Sequence, residues 1–149
     1  MESLPWQPSY DATVIDRMPT FAIIECQWFA LSILCLAHAL MQDTHNRRNH
    51  LLLWVVAVFA GSMNDIIFMW LPLVDNFFHA QATFMLHDRL PAYILCVYQV
   101  LLYVPTAFVW QYITSRSRYA SVIPPLTAFL AVAFYGSFDI VGVKFLWWT

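Results

Sequence analysis

The chain of 149 residues is 61% hydrophobic, 17% aromatic and only 11% charged, with a formal net charge of -2. A soluble domain carries roughly a quarter of its residues as charge, so this balance excludes an ordinary soluble protein and predicts an integral membrane one. No basic tract or aromatic-basic alternation points to nucleic acid. Apolar runs longer than any strand predict helical spans and not a barrel.

Residues 1–18 hold Pro5, Trp6, Pro8 and Tyr10 among Glu2, Asp11 and Asp16, which suits a segment lying at headgroup level. They lack the basic start and small-residue cleavage site of a signal peptide. A first span is predicted over 19–41, opened by Pro19 and interrupted by Glu25; the polar connection QDTHNRRNH leads to a second over 51–71, which carries Gly61, Asn64 and Asp65. A third is predicted over 91–112, with Pro105 placed to kink it, and a fourth over 124–148, started by Pro124 and Pro125 and ending on Trp147 and Trp148. The reading is an all-α integral membrane four-helix bundle, a single transmembrane domain over 1–149. Cys26, Cys35 and Cys96 fall inside spans without CxxC spacing, so no disulfide framework is expected.

Between spans two and three lies PLVDNFFHAQATFMLHDRLP, too polar for a lipid-facing span and too apolar for a loop. On a helix, Asp75, His79, Thr83 and His87 stack at four-residue spacing into one polar stripe opposite Phe77, Phe78, Phe84 and Met85. A short interfacial or re-entrant helix over about 76–88, capped by Asp75, is therefore predicted. Arg47 and Arg48 in one connection and Arg116 and Arg118 in another place both basic loops in the cytoplasm, and both termini on the opposite side.

With that topology, Glu25, Asp65, Gln99 and Asp139 lie roughly 9, 10, 12 and 14 Å inside the non-cytoplasmic ends of their spans, at ~1.5 Å per residue. An acid near the middle of a membrane costs about 2.5 to 3.5 kcal/mol, so these groups are expected to face each other or a wet pocket. The predicted polar cluster is Glu25, Asn64, Asp65, Gln99 and Asp139. His79, His87, Glu25, Asp65 and Asp139 are the candidates for acid-base catalysis, and Asp75, His79, His87 and Asp65 for a divalent metal. Blander roles stand beside these: Asp75 as a cap, Asp65 as an interhelical hydrogen-bond partner, and Lys144 snorkelling outward. His38, His45 and His50 fall on the cytoplasmic side, remote from the cluster. A haem is disfavoured, because His79 and His87 share one helix; His38 with His50 is the one geometrically possible pair.

The segments VDNFFHAQATFML, RLPAYI and KFLWWT resemble a widespread, functionally uncharacterised family of multi-pass membrane proteins, best over the second half of the chain. In that family further spans follow the equivalent of KFLWWT. The resemblance therefore implies either a partial sequence or a short member completed by another copy or subunit. Three functions compete. The leading one is a membrane-embedded subunit or interaction protein, in contact with lipids and with other membrane subunits or a second copy of itself. The second is a lipid-modifying, metal-dependent enzyme with its site in the non-cytoplasmic half of the bilayer. The third is proton or ion conduction along the same acids.

Overall fold

Pro19 suits a first helical turn, where its missing amide is not needed, and the apolar run behind it has no breaker. The computed structural model, which describes residues 19–70, 82–87, 90–113 and 121–144, forms helix α1 over Pro19–Met41. Helix α2 runs Thr44–Trp70 and so begins well before Leu51, the expected start of span two. The cause is Asp43, an N-cap: its carboxylate accepts the Asn46 amide at 2.8 Å, and its carbonyl accepts the amides of Asn46 and Arg47 at 3.1 and 2.8 Å. Only Gln42 and Asp43 separate the two helices.

The described part of the central segment is not helical. Strand β1, Met85–His87, pairs antiparallel with β2, Leu90–Pro91, with Met85 opposite Pro91, His87 opposite Leu90 and an irregularity between Met85 and His87. The Ala92 amide closes the hairpin onto the Phe84 carbonyl at 2.8 Å. The helix expected over 76–88 is thus corrected for residues 82–87. Residues 76–81 and 88 lie outside the described residues.

Helix α3, Tyr93–Ile113, starts just past Pro91 and continues through Pro105. Next to Pro105 the Thr106 hydroxyl donates to the Leu102 carbonyl at 2.6 Å, a back-bond that tends to bend a helix. Helix α4, Ile123–Lys144, carries Pro124 and Pro125 in its first turn.

All four helices are long and apolar enough to cross a membrane, and they make this a multi-pass membrane protein by length and composition. The described residues form an all-helical bundle with a single small hairpin. Helix α3 is its hub, packed against the other three, while α1 and α2 also pack on each other. Of the most apolar stretch of α3, 61% is buried, against 6% in α4, so α4 is peripheral. The core centres on Tyr93, Val97, Leu101, Tyr103 and Ala107. Elsewhere the surface is apolar, with Ile23, Ile33, Phe59, Phe129, Val132 and Ile140 all exposed, as lipid contact requires.

Gly61 sets the approach of α2 to α3. The Tyr98 ring lies directly on it, where any Cβ would overlap the Cβ, Cγ and Cδ1 of Tyr98. Small residues at such contacts let membrane helices come close enough for polar groups one turn away to meet.

Candidate functional site

Two polar networks cross the bundle, both anchored on α3. At the hairpin end, Glu25 of α1 is 3% exposed. Its carboxylate accepts the Thr83 hydroxyl at 2.7 Å and the Thr83 amide at 3.2 and 3.3 Å. This explains the departure from a helix. An amide in a helix interior is taken by the carbonyl four residues earlier, whereas the bend at Thr83 leaves its amide free for the buried acid. Thr83 and His87 consequently do not share a helical face.

Asp65 of α2, 2% exposed, accepts a hydrogen bond from the Tyr98 hydroxyl of α3. Tyr135 of α4 is a hydrogen-bond neighbour of both Tyr98 and Asp139. Asp65, Tyr98, Tyr135 and Asp139 thereby form one chain across three helices. The fully buried Tyr93 lies within electrostatic range of both Glu25 and Asp65. Two turns beyond Glu25 on α1, the Ser32 hydroxyl donates to Gln99, and the Trp54 indole donates to the Ser32 carbonyl at 3.3 Å.

Of the expected cluster, Asn64 stands apart: it is exposed, while Asp65 is buried. Consecutive helical residues point about 100° apart, so only one of the pair can face inward. His87 lies in β1; Asp75 and His79 lie outside the described residues. Among the described residues, no three His, Cys, Asp or Glu side chains are grouped to hold a metal ion. The three cysteines are free thiols.

The second network was legible only in pieces. His38 Nδ1 lies 2.8 Å from the Tyr103 hydroxyl, and His50 Nδ1 lies 2.9 Å from the same oxygen. The rings meet edge to face, with centroids 5.5 to 5.9 Å apart. Both imidazoles thus direct Nδ1 at one hydroxyl, from two different helices.

The tautomers follow from Gln42. Its side-chain nitrogen donates to the His38 carbonyl at 3.2 Å, and a carbonyl can only accept, so this atom is the amide NH2. The same nitrogen lies 3.0 Å from His38 Nε2, which must then be the acceptor. His38 therefore carries its proton on Nδ1 and donates to Tyr103, Tyr103 donates to His50 Nδ1, and the His50 proton is left on Nε2.

The signal for this network is the short connection itself. His38 sits one turn before the end of α1 and His50 two turns into α2, so a tight hairpin brings them to similar depth. Residues 7–149 match a family model described only as a domain of unknown function. No curated protein and no solved structure matches the chain.

Proposed function

The chain belongs to the DUF7802 family, and from that premise we propose that it is a membrane-embedded interaction subunit, completed by a partner helix from another chain or a second copy seated on α4. The observation that carries this reading is the peripheral position of α4. Phe129, Val132, Ala133, Gly136 and Ile140 recur at helical spacing on one side. Four of these are exposed, and a Cβ added at Gly136 would meet nothing within 4 Å. A small residue set among large apolar ones is how membrane helices seat one another. The acids support the same reading, because the buried Glu25 and Asp65 and the half-buried Asp139 are engaged in contacts inside the chain. The alternative, a lipid-modifying enzyme, needs an acid or base still available for chemistry, and these three are committed. In the proposed orientation the hairpin end faces away from the cytoplasm, as the basic loops imply.

The test is the mass of the purified protein in detergent, by native mass spectrometry and light scattering, for wild type and Gly136→Leu. Wild type is expected as a homo-oligomer or with a stoichiometric second chain. Gly136→Leu is expected to be monomeric with unchanged helicity, since the substituted face has open space. A wild type that is monomeric across the accessible concentration range sinks the proposal.

A further inference from the structure

Beside the inner network a groove of about 400 Å3 opens between α2 and α3, within the size range of small-molecule sites. Its wall is apolar along Leu53, Val56, Ala107 and Trp110, and Asn49, His50 and Thr106 are its polar members. His50 is 7% exposed, so an imidazole more than nine-tenths buried borders an otherwise oily channel. Its Nδ1 is held by Tyr103, and the proton order set by Gln42 and His38 makes Nε2 a donor. A donor in the wall of a mainly apolar groove selects a ligand with an acceptor head and a hydrocarbon tail.

The basic residues identify the head. Arg48, exposed, immediately precedes the groove-lining Asn49, and Arg47, also exposed, is tied to the helix connection through the Gln42 carbonyl at 3.2 Å. Each arginine near a membrane surface favours an anionic lipid by about 1 kcal/mol. We propose that this groove is a binding site for one anionic phospholipid. An acyl chain lies along Leu53, Val56, Ala107 and Trp110, the His50 Nε2–H donates to a lipid oxygen, and Arg48 faces the phosphate. Tyr103 is a positioning residue, acting through the tautomer and orientation of His50. The site is independent of whatever covers α4.

The full-length protein in detergent is titrated with phosphatidylglycerol or phosphatidylcholine of matched chains and read by native mass spectrometry, with circular dichroism and the thermal midpoint as checks on folding. Wild type is expected to retain one phosphatidylglycerol, about fivefold or more in preference to phosphatidylcholine, the effect of one nearby arginine. Arg48→Gln is expected to weaken that preference and Arg47→Gln with Arg48→Gln to abolish it, while leaving binding of either lipid. Ala107→Phe, which fills the groove, is expected to lose the bound lipid. Val56→Phe serves the same purpose from the exposed side of α2 should Ala107→Phe not fold. Tyr103→Phe is expected to weaken phosphatidylglycerol several-fold, while His50→Gln, which keeps an N–H donor, retains part of the binding. Equal binding of both lipids by wild type, or wild-type lipid stoichiometry in a folded groove-filling variant, overturns the proposal.

Discussion

Gly61→Ala is expected to lower stability by about 3 kcal/mol, the upper part of the usual overpacking range. The added methyl would fall on the Cβ and Cγ of Tyr98, the part of the side chain tethered to its backbone, so no rotation of the ring clears it. Helices α2 and α3 must separate, and the Tyr98 hydroxyl then loses Asp65 one turn away. Both effects act at the hub of the bundle. Thermal unfolding in detergent should show a midpoint lower by roughly 6 to 12 °C, at ~2 to 4 °C per kcal/mol for a chain of this size. Combining Gly61→Ala with Tyr98→Gly removes the Cβ, Cγ and Cδ1 that the methyl meets, so the double variant should be more stable than the sum of the two single losses predicts. A single variant that melts with wild type shows that the close approach is not required.

Glu25→Ala is the second large effect, and it acts on a different part of the molecule. The Thr83 amide and hydroxyl both lose their acceptor, and hydrogen bonds to a charged group contribute about 1.5 to 3 kcal/mol. The bundle helices do not depend on this contact, whereas Glu25 is what ties the approach to β1 onto α1. Hydrogen exchange should therefore rise in residues 82–92 and remain near wild type in α2 and the second half of α3. Glu25→Gln, which keeps one acceptor oxygen, should fall between. Uniform loss of protection across the chain would mean that the acid supports the whole bundle and not the hairpin in particular.

Both effects arise from contacts that the sequence expresses unequally. The four helices were legible because apolar runs of this length have one stable form in a membrane, and because Pro19 and the Pro124–Pro125 pair mark starts. The burial of Glu25, Asp65 and Gln99 follows from the cost of exposing such groups to lipid. Their partners did not follow. A four-residue spacing of Asp75, His79, Thr83 and His87 is equally compatible with a helix and with a chain bent to present one amide to a distant carboxylate. Local periodicity carries no information about a residue 58 positions away. The connection ahead of α2 reads as a polar loop, yet Asp43 caps it and extends the helix. Tyr103 stands in the sequence as one tyrosine within a long apolar run. Only packing shows that it joins two histidines from different helices.

The position of α3 as hub bears on how the chain is made. Membrane helices enter the bilayer in order, and the first two spans bring Glu25, Ser32, His38, His50 and Asp65 with them. The side chains that satisfy these groups, Thr83, Tyr98, Gln99 and Tyr103, all emerge from the ribosome later. Until the third span arrives, Glu25, Ser32 and Asp65 sit within the nascent hairpin without these partners, and depend on the insertion machinery or on bound water to shelter them.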